Sequence, residues 1–177
     1  MRHFTVLPAE MADRADAESL WDFSVRVYAC LGVEEACIRL QEVWNADILV
    51  LLFALWRGKR GCELSNTDIQ EIVDTVTVWQ REVITPIRQL RRRLRGDADL
   101  LAPELTVGMQ AVRNELQQIE LGAERRELEY LATIEVGTTH KPGVATIRSN
   151  LVTYLRFLDV SKADQTASGL LVDAASL

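Results

Sequence analysis

Apolar residues recur along this chain at helical spacing and nowhere alternate over a useful strand length. In ESLWDFSVRVYACL, the positions Leu20, Trp21, Ser24, Val27, Tyr28 and Leu31 share one face, which predicts a helix from Glu18 to Leu31 ended by Gly32. VEEACIRLQEVW predicts a second helix. Val33, Ala36, Cys37, Leu40 and Trp44 line its inner face, and Glu34 and Glu35 suit its first turn. The stretch ADILVLLFALWRG follows, with no charge between Ile48 and Trp56. A helix apolar on every side belongs at the centre of a fold. Asn45 is expected to cap it, with Asp47 in its first turn, Arg57 near its end and RGKRG as the stop. As a membrane span it is too short: about 13 Å of helix against roughly 30 Å of hydrocarbon.

From Ile69 the pattern tightens. Ile69, Val73, Val76, Gln80, Val83, Ile87, Leu90 and Leu94 step by four and three, a coiled-coil-like seam with one polar position. Ser65 with Asp68, or Thr67 with Gln70, supplies a capping box at its start. Pro86 lies inside it and predicts a kink near Glu82 to Thr85. GDADLLAP reads as a loop. A second seam returns through Met109, Val112, Leu116, Ile119, Ala123 and Tyr130, with Arg126 as its weak point. Two long helices on a short connection lie antiparallel. After the breaker VGTTHKPG, a last helix carries Val144, Ile147, Leu151, Leu155 and Leu158.

The predicted fold is all-α: a single-domain bundle of five to six helices, with a central apolar helix and a long antiparallel hairpin. Ile48 to Trp56 is expected to be packed by the first two helices. Residues 1–17 read as a flexible N-terminus, 18–158 as the bundle domain and 159–177 as a mobile tail.

Composition narrows the function classes. The 177 residues are 48% hydrophobic and 26% charged, within the range of globular domains. A net charge of −6 weighs against general nucleic-acid binding. Cys30, Cys37 and Cys62 have no CxxC spacing and fit free thiols in a reducing compartment. The N-terminal MRHFTVLPAEMADRADAE has no continuous apolar core, so no signal peptide is expected, and the location reads as cytoplasmic.

Several stretches resemble an uncharacterised family of small proteobacterial proteins, known as a domain of unknown function. They are LWDFS (Leu20–Ser24), Val27 and Tyr28, GVEEAC (Gly32–Cys37), Leu40 and Gln41, Ala46 and Asp47, and LLFALW (Leu51–Trp56). Leu64, Ser65, Trp79, PIRQLRRRL (Pro86–Leu94) and AERREL (Ala123–Leu128) continue the likeness. It runs from Leu20 to Ala132. The resemblance implies a small cytoplasmic helical protein and supplies no reaction, ligand or site residue.

Two groups are candidate sites. Arg88, Arg91, Arg92, Arg93 and Arg95 offer planar forks for an acidic partner or anion, against the plainer reading of a solvated helix end. Glu104 and Glu115 are expected to offset their repulsion. Trp21, Tyr28, Trp44, Phe53 and Trp56 offer an apolar patch or pocket, against the plainer reading of core. Asp22 and Asp47 are weaker candidates as buried acids; Arg26 is expected to satisfy Asp22. No phosphate loop, nucleophile elbow, di-iron motif or metal-ligand spacing occurs, and neither His3 nor His140 pairs with a nucleophile in sequence. No cofactor or metal is expected. The leading expectation is a non-enzymatic interaction or regulatory protein using the arginine face, or self-association along the hairpin. The alternatives are a helical binding protein for an apolar small molecule or lipid and, with least support, an enzyme with a non-standard site.

Overall fold

Ile48–Lys59 is helical because nothing in it opposes a helix and Asp47 opens it. The Asp47 carboxylate accepts the amides of Leu49 (2.9 Å) and Val50 (3.3 Å), donors that the first turn leaves free. Asn45, the expected cap, instead closes the preceding helix in a left-handed conformation (φ 52°) that asparagine tolerates. Every residue from Leu49 to Gly58 is buried, so the apolar run is surrounded on all sides.

The structure is a computed structural model. It describes residues 18–94, 103–161 and 168–177, with backbone alone for 103–104. In chain order the helices are α1 (Leu20–Tyr28), α2 (Val33–Trp44), α3 (Ile48–Lys59), α4 (Asn66–Trp79), α5 (Thr85–Arg93), α6 (Pro103–Leu131), α7 (Val144–Phe157) and α8 (Ser168–Ser176). A π-helical turn, Gln80–Ile84, joins α4 to α5. Among the described residues the fold is all-α apart from one two-residue pairing, β1 (Cys62–Glu63) antiparallel to β2 (Thr138–Thr139), which ties the α3–α4 turn to the α6–α7 connection. Among the described residues no helix is long and apolar enough to cross a membrane.

Local signals explain the ends. Ser19 caps α1 by accepting the Asp22 amide (3.1 Å), so α1 starts later than expected. Gly32 forms the α1–α2 turn at φ 82°, where an L side chain is strained. Ser65 and Asp68 form the capping box of α4: Ser65 Oγ accepts the Asp68 amide (3.2 Å) and the Asp68 carboxylate accepts the Ser65 amide (2.8 Å). Pro86 lacks an N–H and crowds the carbonyl of Glu82. The wider π turn just before it accommodates both, so α-helical bonding is interrupted over Gln80–Ile84, where the sequence predicts a kink or break.

The partners of α3 differ from the expectation. Its principal neighbour is α7, and α1, α6 and α8 cover the rest, while α2 packs on α1 and α8. Gly58 permits the α7 contact: a Cβ there would stand 2.6 Å from Ile147 Cα. Asn150, fully buried on α7, donates to the carbonyls of Ala54 (2.9 Å) and Cys62 (2.8 Å) and accepts the Leu64 amide (2.8 Å). Tyr154 donates its hydroxyl to the Asp47 carbonyl (2.8 Å). Arg57 turns inward and donates to the Val136 carbonyl.

Within the stretch expected as a mobile tail, 159–177, residues Ser168–Ser176 form α8. It buries Leu171, Val172, Ala174 and Ala175 against the bundle. Arg26 donates to the Ala174 carbonyl (3.0 Å) and pairs with Glu18 (2.7 Å), leaving Asp22 to the Ser19 hydroxyl (2.6 Å).

Truncation inside α3 should be severe. Phe53→Ala is expected to cost about 3–5 kcal/mol and Leu52→Ala about 2–5 kcal/mol, measured by urea unfolding. Unchanged midpoints for both would remove α3 from the centre of the fold.

Candidate functional site

The α4–α5 rod and α6 run antiparallel, and ion pairs join them. Arg88 Nε lies 2.7 Å from Glu120 Oε1, Arg88 Nη2 lies 2.6 Å from Glu124 Oε1, and Arg91 Nε lies 2.5 Å from Glu120 Oε2. These carboxylates offset the repulsion among the arginines. Glu115, offered for that role by the sequence, is exposed, and the Glu104 side chain lies outside the described residues. The candidate arginines therefore divide. Arg88 and Arg91 are half-buried and paired inside the hairpin, Arg92 and Arg93 stand exposed in the last turn of α5, and Arg95 lies outside the described residues.

This seam turns α6 away from its expected face. Glu120, Ala123, Glu127, Leu128 and Leu131 are buried, while Leu105, Val112, Ile119 and Tyr130 are 61, 48, 55 and 54% exposed. The second seam expected from sequence keeps only Ala123 buried, with Met109 and Leu116 half-buried. The reason is chemical: Glu120 and Glu127 have polar partners on the opposite rod that Ile119 and Tyr130 would leave unsatisfied.

The acids differ in what neutralises them. Burial works against charge at Glu120, but hydrogen bonds from Arg91 and Arg88 outweigh it and hold its carboxyl below the usual range. Glu124 has one arginine and a charged neighbour in Glu120, so burial wins and its carboxyl titrates high. Glu127, 3% exposed, receives the Gln80 amide on both oxygens (3.0 and 2.9 Å) and no arginine. Burial, then the nearby Asp47, push it up to about 8. Asp47 is likewise raised by burial, against its two backbone hydrogen bonds. Gln80, the polar exception in the first seam, begins the π turn and supplies this contact. Among the described residues no three His, Cys, Asp or Glu side chains gather as a metal ion requires.

Beside Glu127 a pocket of about 270 Å³ opens between α4 and α6, lined by Thr75, Val76, Trp79, Arg126, Glu127 and Tyr130. Trp79 Nε1 donates to the Ala123 carbonyl (3.2 Å), and Arg126 Nη1 donates to the Gly122 carbonyl (2.8 Å). Trp79 is one of four tryptophans that the sequence offers as pocket walls or core, with Trp21, Trp44 and Trp56, whereas Glu127 as a buried acid was not singled out from sequence. The available signal was Glu120, Glu124 and Glu127 at helical spacing opposite an arginine-rich antiparallel helix.

The other tryptophan candidates lie elsewhere. Phe53 is fully buried with its ring centroid 6.3 Å from that of Trp56. Trp56 donates to the Glu18 carbonyl (3.2 Å) and Arg60 covers its ring at 4.5 Å. Trp44 is half-buried, with a buried indole N–H that has no partner among the described residues. Trp21 is half-buried beneath Arg125, at 5.2 Å. Tyr28 is also half-buried, and burial pushes its hydroxyl up to about 12. Burial likewise raises the Cys37 thiol to about 12, which keeps it protonated and unreactive.

A second cleft, about 550 Å³, is lined by Glu63, Leu64, Ser65, Asp68, Gly137, Thr138 and His140. Ser149 Oγ donates to Glu63 Oε1 (2.5 Å), and His140 Nε2 lies 3.3 Å from Glu63 Oε2. Nucleophile activation needs the imidazole between hydroxyl and acid. Here the acid stands between the other two.

A family model described as protein of unknown function (DUF2390) matches residues 19–131. The chain belongs to the DUF2390 family. No curated protein and no solved structure matches it. The DUF2390 match ends with the last residue of α6, so it contains α3, the arginine–glutamate seam and the Glu127 pocket, and excludes α7 and α8.

Glu127 sets a pH dependence. Its folded pKa is about 8 against an ordinary 4.5, so the folded state holds an extra proton between those values, and stability is lost as pH rises through that window. Glu120, held low, has already titrated there. Glu127→Gln keeps an amide for Gln80 and carries no charge. It is expected to lie within about 1 kcal/mol of the wild type near pH 5 and to exceed it by about 4 kcal/mol at pH 8, read by urea unfolding across pH. Parallel curves for the two proteins would refute the buried neutral acid.

Proposed function

We propose that this protein is a non-enzymatic interaction protein that receives a protein partner along the outer face of α6. One observation carries the reading: α6 buries carboxylates on its inner side and leaves Leu105, Val112 and Ile119, seven residues apart, in solvent. An apolar stripe at heptad spacing is the form in which a helix meets another helix. Exposed apolar residues in one line, as opposed to scattered singly, mark contact surfaces. The exposed Arg92 and Arg93 lie at the end of α5, and they supply the charged part of the contact, steering an acidic segment of the partner. The free cysteines fit a reducing compartment, and the cytoplasm is the proposed location. The small-molecule alternative is weaker, since Phe53 and Trp56 are spent on core packing and hydrogen bonding.

Val112→Glu with Ile119→Glu changes only exposed positions and is expected to leave the melting temperature within a few degrees. The pair should abolish recovery of the partner in affinity purification from the native cell, or dimerisation in sedimentation if the partner is a second copy. Arg92→Glu with Arg93→Glu should lower recovery most at low salt. Partner recovery and sedimentation both unaltered by the α6 pair would refute the reading.

A further inference from the structure

The pocket between α4 and α6 is mostly apolar, yet it contains a nearly fully buried acid. Glu127 lines it, and Asp47 and Glu124 lie close enough to act on its charge. The arginines of the seam are engaged by other carboxyls, Arg88 by Glu120 and Glu124 and Arg91 by Glu120. Glu127 is left with the neutral Gln80 amide. Arg126 shares the lining but is bonded to the Gly122 carbonyl, so the Glu127 carboxyl opens on the pocket with no cation hydrogen-bonded to it among the described residues.

We propose that the pocket receives a lysine side chain of the partner protein, its methylenes between Trp79 and Tyr130 and its ammonium on Glu127. The assignment rests on the interaction reading above and names the chemistry that the partner brings. Trp79 and Tyr130 put two aromatic rings in the lining, which suits an aliphatic stem and a cation. Both Glu127 oxygens already accept from Gln80, which leaves room for a point charge and none for the two parallel bonds of a guanidinium. Ile119, Arg126 and Tyr130 are spaced seven and four along α6, so a helix lying on the outer stripe passes over the mouth of the pocket. Arg126 opposes the incoming cation from the lining, held by the Gly122 carbonyl. Its removal should strengthen binding.

The proton balance is fixed. At pH 7 Glu127 is mostly protonated. The ammonium enters with its three protons, the Glu127 carboxyl loses its own to the buffer, and a carboxylate–ammonium pair remains.

The test needs no knowledge of the partner. Nα-acetyl-lysine N-methylamide is titrated into the ¹⁵N-labelled full chain, with the norleucine and arginine amides as controls. The Trp79 indole N–H signal is followed, and calorimetry in two buffers counts protons. The lysine amide is expected to bind at least about tenfold more tightly than the norleucine amide and to release roughly one proton at pH 7. Glu127→Gln, its fold verified by melting, should bring lysine down to the norleucine level. Tyr130→Ala should weaken both, and Arg126→Ala should tighten lysine alone. Equal binding of lysine and norleucine, or no saturable shift with either, overturns the proposal, and equal binding of the arginine amide overturns the choice of lysine. Lysine binding with a partner indifferent to the α6 substitutions supports the pocket and removes the interaction reading; the reverse pattern removes the pocket alone.

Discussion

A helix with no polar side has to be enclosed on every side, and α3 is such a helix. Two neighbours cannot do this, because each covers only a stripe. Four helices share the task, and the closest of them, α7, approaches over Gly58, where a side chain would collide with the Ile147 backbone. Ends are the difficulty of any buried helix, since they carry free amides and carbonyls. Asp47 satisfies two amides at the start, and its own carbonyl receives Tyr154. Near the other end Arg57 reaches the Val136 carbonyl. Enclosing α3 therefore brings a carboxylate inside along with the apolar side chains.

That carboxylate faces the acids of α6, and the α5–α6 seam is the response. Buried ion pairs add little net stability over apolar packing, but removing one partner strands a charge. Arg88 and Arg91 thus fix the register of α5 on α6 more than they strengthen it. Their reach is unequal. Glu120 holds two arginines and stays ionised, while Glu127 holds none and keeps its proton. A helix that spends its inner face on carboxylates leaves its apolar residues outside, so the exposed stripe and the buried acids are two sides of one arrangement.

Much of this was legible where the signal is local. The uniform apolar run required burial, the Ser65–Asp68 box and the antiparallel hairpin followed from short spacings, and Pro86 marked the place where the helix changes form. The facing of α6 was not legible by apolar periodicity, which assumes that the apolar stripe turns inward. Glu120 and Glu127 overrule it through partners 29 to 47 residues away. Asn150 and Gly58 are similar cases. A lone asparagine and a glycine near a helix end carry no pattern, and their roles exist only once α7 lies on α3. The C-terminal helix carries little periodic signal, since its small residues pattern weakly and its burial depends on the bundle beneath it.

The family match divides the molecule along the same line. Residues 19–131 contain the central helix, the seam, the Glu127 pocket and the outer stripe of α6. The principal neighbour of α3 comes from beyond that span. Core completion and surface chemistry thus fall to different stretches of chain: α7 and α8 close the bundle over α3, and α4 to α6 hold every group of the candidate site except Asp47. Asp47 belongs to both, as cap of the buried helix and as the negative neighbour that raises Glu127. Through it the demand that α3 be buried reaches the pocket, because a neutral residue at that cap would remove a cause of the proton on Glu127 and with it part of the pocket's preference for a cation.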